Sequence, residues 1–212
     1  MRKTVLTVLA AVVLLAVAFV TVHAADQMLP AAGQVAPGFT LPSQDGSQIS
    51  LSSFSGKWVV LYFYPKDQTP GCTIEAHNFQ RDLAQYEAKN AVIVGVSMDT
   101  PDSHQQFCTK EGLTFRLLSD PQHTVVDQYG SLGSFGTTLI ANRNTFLIDP
   151  QGKIAKVWTN VNPQVHSTEV LAAIPGGPAI AAPAAMAAPA AVGPATEGVK
   201  PPQSMPSVKP PQ

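Results

Sequence analysis

The sequence predicts an α/β sandwich, and three observations carry that reading. Residues 58–64 and 91–96 are apolar and aromatic runs with no charged interruption, which suits central strands buried on both faces. Each run is followed by a segment of helical character. The chain then closes on a strand hairpin and one more helix, an order that stacks helices on a central sheet.

Taken in order, Phe39-Thr40-Leu41-Pro42, Asp45-Gly46 and Ile49-Ser50-Leu51 read as a hairpin around an Asp-Gly turn. Residues 58–64 form the first central strand and 65–71 a loop. In the helix that follows, Ala76, Phe79, Leu83 and Tyr86 recur on one face. Residues 91–96 are the second buried strand, and 102–111 a helix stopped by Gly112. A short strand at 115–118 precedes a short helix at 124–129, which ends at Gly130. Residues 145–148 and 153–158 pair across Asp149-Pro150-Gln151-Gly152, and 163–174 makes the last helix. That order belongs to a thioredoxin-like fold: a central mixed β-sheet flanked by helices, with an N-terminal β-hairpin. Fold alone does not give function.

The 212 residues carry 13 basic and 14 acidic side chains. Nucleic-acid binding needs a clustered basic excess, so no such partner is expected. The two cysteines, Cys72 and Cys108, exclude iron–sulfur and all-Cys zinc frameworks. The five histidines have no ligand spacing, so no metal or other cofactor is expected, and His77 reads as a helix-surface residue.

The domain proper is expected at 25–174, long enough to bury a full core without staples. Before it, Arg2 and Lys3 precede an 18-residue apolar run ending at Val22, with small residues after it. Residues 1–24 therefore read as a secretory signal peptide, or otherwise as an N-terminal membrane anchor, and the protein as exported to the periplasm or another extracytoplasmic space. Residues 175–212 hold ten prolines, ten alanines and four glycines. Such a stretch cannot offset its ordering entropy by burial, so a disordered tail is expected, either a spacer or a tolerated extension.

Ligands of open α/β sheets gather at the carboxyl ends of strands, which directs attention to the loop after the first central strand. There Thr69-Pro70-Gly71-Cys72 reads as a helix start, with Thr as N-cap, Pro at N1 and Cys at N3. A thiol in the first turn feels the positive end of the helix dipole, which favours thiolate. The same four residues equally suit a plain cap followed by a small buried hydrophobe.

The wider string is more specific. Residues 65–76 carry Pro65, Thr69 and Cys72 in a Pro-x-x-x-Thr-x-x-Cys pattern, followed by Thr73-Ile74-Glu75-Ala76. This resembles the peroxiredoxins of the alkyl hydroperoxide reductase/thiol-specific antioxidant superfamily. It is most similar to their peroxiredoxin Q branch, also called bacterioferritin comigratory protein. Leu117-Leu118-Ser119-Asp120 and the run from Arg143 to Asp149 extend the likeness over most of 35–174. The resemblance implies a thiol-dependent peroxidase acting on hydrogen peroxide and alkyl hydroperoxides, recharged by a thioredoxin-like or other dithiol reductant, and monomeric. It implies Cys72 as the peroxidatic cysteine, which becomes a sulfenic acid. Thr69 matches the threonine that hydrogen-bonds thiolate and peroxide, Pro65 the shielding proline, and Arg143 the arginine that steadies negative charge. Glu75 either orients Arg143 or favours the helix start.

One position departs from the pattern. Many relatives place a resolving cysteine five residues after the first, where this chain has His77. Some members carry it in the next helix, which here holds Cys108, and the resemblance implies an intramolecular disulfide between Cys72 and Cys108. Against that stand an inert core thiol after Phe107 and a permanent structural disulfide. If the pair does form on oxidation, the two helices must unwind locally for the Cα atoms to come within about 7 Å. Two other functions remain to be weighed. A thiol–disulfide oxidoreductase usually wants Cys-x-x-Cys, which is absent, and a copper-binding thioredoxin-fold chaperone wants a second cysteine where Ala76 stands.

Overall fold

A computed structural model describes residues 29–176. The expected leader and tail lie outside the described residues, apart from the two residues just after Ile174. An N-terminal hairpin pairs β1 (Thr40–Pro42) with β2 (Gln48–Ser50). Strands β3 (Trp58–Phe63), β4 (Ala91–Ser97) and β5 (Arg116–Ser119) run parallel. A second hairpin, β6 (Leu132–Phe135) with β7 (Thr138–Ala141), stands outside the main sheet. Strand β8 (Thr145–Ile148) then joins the parallel trio antiparallel along β3, and β9 (Ile154–Trp158) pairs antiparallel with β8 at the sheet edge. The resulting five-stranded sheet has the order β5-β4-β3-β8-β9 and is mixed, as expected.

Side chains of β3 alternate between two cores, which explains why the run has no polar gap. Val60 and Tyr62 face helices α1 (Pro70–Ala88), α2 (Pro101–Glu111) and α4 (His166–Ala173). Val59, Leu61 and Phe63 face the opposite core, with Phe39 and Leu41 of the N-terminal segment and Val125 and Val126 of α3 (Thr124–Gln128). Gly95 in β4 makes room for the first core: a Cβ there would lie 2.6 Å from Leu117 Cδ2 and 2.7 Å from Tyr62 Cζ.

Two elements differ from expectation. The β6–β7 hairpin was not predicted. The last helix begins at His166, three residues later than Pro163. The reason is a long-range capture: Asn78 Nδ2 of α1 donates to the carbonyls of Pro163 and Gln164, both at 3.0 Å. Carbonyls engaged this way hold 163–165 in a turn that enters the helix.

Candidate active site

Cys72 is the third residue of α1 and its side chain is almost completely enclosed. Thr69 stands at the N-cap in extended conformation and Pro70 starts the helix. The expected side-chain cap is not made. Thr69 Oγ1 donates instead to the Lys66 carbonyl at 3.0 Å, which folds the loop back on itself. Gln68, just before, takes a left-handed φ of 59°, a conformation a non-glycine residue adopts only when its surroundings impose it. Pro65 is half-buried at the start of this loop.

Arg143 arrives from the segment between β7 and β8. The unpredicted hairpin and the sheet fix that segment from both sides: Asn142 N donates to Ser131 O at 2.7 Å, and Phe63 N to Asn144 O at 2.8 Å. From there Arg143 Nη2 reaches Cys72 Sγ at 3.1 Å and Nη1 reaches Glu75 Oε2 at 2.5 Å. One planar fork thus bridges sulfur and carboxylate, a geometry a lysine could not reproduce. Gly71 permits the approach, because a Cβ there would sit 3.0 Å from Arg143 Nη2. Of the two roles left open for Glu75, the structure favours contact with Arg143.

The electrostatics follow from enclosure. Burial pushes the Glu75 carboxyl up to about 7, with the Arg143 charge pulling the other way. Burial likewise works against the charge on Arg143, yet Cys72 and Glu75 hold its pKa above the ordinary value. A fixed cation beside the sulfur stabilises negative charge as it develops on sulfur and on an attacked oxygen.

Cys108 is also buried and free, in the last turn of α2. Its carbonyl accepts the amides of Gly112 and Leu113, which close the helix. Burial, and then the charge of Asp67, push its thiol up to about 11. His77 is half-exposed, as expected, and its Nε2 pairs with Glu111 Oε2 at 2.9 Å.

Sequence reasoning missed a buried polar cluster beside the loop. Asp67 Oδ1 accepts from Tyr64 Oη at 2.7 Å, and Oδ2 accepts from Ser103 Oγ at 2.7 Å and meets His104 Nδ1 at 2.9 Å. Burial opposes its charge, yet those bonds hold the Asp67 carboxyl below its ordinary value. The signal was available in part: His104 stands four residues before Cys108, on the same helix face.

Known proteins point the same way as this geometry. The AhpC/TSA family profile matches residues 32–157. The chain belongs to the AhpC/TSA family, in its peroxiredoxin Q branch. A Coxiella burnetii protein of the peroxiredoxin bcp type is 46% identical over 143 residues, 66% of this chain and 95% of that protein. Among solved structures, a cysteine-to-serine mutant of Xylella fastidiosa PrxQ superposes with a TM-score of 0.65 at 34% identity, covering 68% of this chain and 94% of that one. A Xanthomonas campestris bacterioferritin comigratory protein gives 0.62 at 35% identity, covering 64% and 89%. As a peroxiredoxin this chain is a thiol-dependent peroxidase that draws on a thiol reductant, rather than an oxidoreductase of the Cys-x-x-Cys type or a copper chaperone.

Proposed function

We propose that this peroxiredoxin reduces hydrogen peroxide and alkyl hydroperoxides at Cys72 and resolves the product with Cys108. The observation that carries the reading is the Arg143 fork, 3.1 Å from Cys72 Sγ and braced by Glu75. The Cys72 thiolate attacks the terminal peroxide oxygen, the O–O bond breaks, and the leaving alkoxide or hydroxide takes up a proton. Arg143 holds the negative charge that passes along this line. By the likeness to the family pattern, Thr69 orients the peroxide and Pro65 shields it from the loop that enters α1. The Xanthomonas campestris bacterioferritin comigratory protein has alkyl peroxide reduction activity, which supports the substrate class.

The sulfenic acid left on Cys72 is then attacked by Cys108, forming a disulfide and releasing water. Two further structures of the Xanthomonas campestris protein carry cysteine-to-serine changes 36 positions apart, the separation of Cys72 and Cys108. Resolution needs movement. Arg143 reaches Cys72 from the β8 side of β3, whereas α2 connects β4 to β5 on the other side. Cys72 must leave the guanidinium and the Cys108 turn must unwind before the sulfurs meet. A thioredoxin-like or other dithiol then restores both thiols. Residues 1–24 direct the enzyme out of the cytoplasm, and it works as a monomer.

Mass spectrometry of the peroxide-treated full chain tests the assignment. A Cys72–Cys108 disulfide within one chain is expected; a chain-to-chain bond, or none, overturns the role of Cys108.

A further inference from the structure

The two cysteines sit on elements joined by two histidine–carboxylate pairs, and these pairs bracket Cys108. The inner pair is His104 Nδ1 with Asp67 Oδ2 at 2.9 Å, and both side chains are buried. It ties α2, four residues before Cys108, to the loop that enters the Cys72 helix. Ser103 Oγ adds a second bond from α2 to the same carboxylate at 2.7 Å, and Asp67 N donates to Asp99 Oδ2 at 2.9 Å. The outer pair is His77 Nε2 with Glu111 Oε2 at 2.9 Å. It ties the end of α2, three residues after Cys108, to α1 five residues after Cys72. His104 and Glu111 stand on either side of the turn that carries Cys108, so each pair fastens one end of it.

We propose that His104–Asp67 and His77–Glu111 are clasps that position the Cys108 turn, and that their opening limits the step from sulfenic acid to disulfide. The proposal rests on the resolving role of Cys108 argued above. The inner clasp is strong but unevenly satisfied, since His104 Nε2 is buried and has no hydrogen-bond partner among the described residues. A buried nitrogen in that state loses its water without compensation, and opening returns it to solvent. Release is thereby easier than the number of bonds on Asp67 alone suggests. The outer clasp is half-exposed on the histidine side, so it is weaker and screened.

The clasps set a competition. A Cys72 sulfenic acid that waits behind closed clasps meets a second peroxide and becomes sulfinic acid, which the disulfide route would have prevented. Loosening the clasps must therefore speed resolution and spare Cys72. The balance of the resolving step is unchanged: one S–S bond forms, the S–O bond breaks, and the thiol proton leaves with the hydroxyl as water.

The test is rapid chemical quench of the reduced full chain with hydrogen peroxide, with sulfenic, sulfinic and disulfide forms counted by mass spectrometry. The readout is the ratio of disulfide to sulfinic acid at fixed peroxide, which does not depend on how fast Cys72 is first oxidised. Asp67→Asn also removes the charge that, after burial, raises the Cys108 thiol, so rates are compared at equal Cys108 thiolate fraction. There the disulfide-forming rate is expected to rise about tenfold, the size of one lost charged hydrogen bond. His77→Ala should raise it about twofold, as befits an exposed pair. His77→Lys, which again offers Glu111 a hydrogen-bond donor, should return the wild-type rate, a rescue that general loosening of α1 would not produce. If Asp67→Asn fails to fold, the two His77 variants decide alone. A normal disulfide formed at wild-type rate in His77→Ala and in every folded Asp67 variant overturns the clasps and leaves Cys108 in place. Absence of the disulfide in the wild-type chain overturns the role of Cys108, and the clasps with it.

Discussion

Two thiols in one core have opposite surroundings. Cys72 opens a helix, within 3.1 Å of a guanidinium, where the dipole and the cation both favour negative charge. Cys108 closes a helix, at the negative end of its dipole, and burial together with Asp67 pushes its thiol up to about 11. Both belong to the same apolar cluster, so hydrophobicity alone does not tell them apart. The difference lies in what each helix end presents and in where Arg143 points. The proposed cycle calls for this asymmetry: one sulfur held beside a cation, and a second enclosed at a helix end.

The hardest way to break the comparison is to remove the ready thiol. Cys72→Ser should abolish peroxide turnover, because Cys108 has neither cation nor helix start to replace it. Appreciable peroxide consumption by the variant, followed directly with stopped-flow mixing, would place the chemistry elsewhere.

The same variant exposes the silent thiol to measurement. With its pKa near 11, the thiolate fraction of Cys108 grows about tenfold for each pH unit below that value. Alkylation of Cys108 by iodoacetamide in Cys72→Ser should therefore climb about a thousandfold from pH 7 to pH 10 without levelling off. A plateau near pH 8 would show that burial and Asp67 do not hold the proton there.

A smaller effect is expected from the cation. Arg143→Lys keeps the charge but loses the fork that touches sulfur and carboxylate together. The second-order rate of Cys72 oxidation should fall about tenfold or more, the usual cost of one aimed donor in a water-poor site. An unchanged rate would mean that charge without shape suffices.

The ready side of this asymmetry was largely legible in the sequence, and the silent side was not. Cys72, Thr69 and Pro65 lie within eight residues, so their spacing alone marks a loop that enters a helix. Arg143 entered through the family resemblance, but nothing local showed how it is aimed. That depends on β6 and β7, four-residue strands whose Phe135 and Leu139 point into solvent and give no buried alternation to read. The start of α4 escaped for a similar reason, because Asn78 on a distant helix captures the carbonyls of Pro163 and Gln164. Asp67 and His104 are 37 positions apart, and each alone looks like an ordinary polar residue. Periodicity reports one element at a time, whereas these contacts exist only once two elements pack.

The finest test concerns Glu75, the carboxylate that braces Arg143. Its Oε2 meets the guanidinium while Oε1, fully buried, has no partner among the described residues. Burial raises its pKa from an ordinary 4.5 to about 7, against the pull of Arg143. Between those two values the folded protein therefore binds the proton more tightly than the unfolded chain does. The stabilisation from that proton is complete below about pH 4.5, falls as pH rises, and is lost above about pH 7. Glu75→Gln keeps an oxygen for Arg143 and removes the titration, so its own stability should not decline across this window through that group. Urea midpoints of the two proteins should then separate progressively from pH 5 to pH 8, with the variant the more stable at the upper end. Parallel midpoints across that range would show that Glu75 is already ionised throughout, with the shared guanidinium strong enough to outweigh its burial.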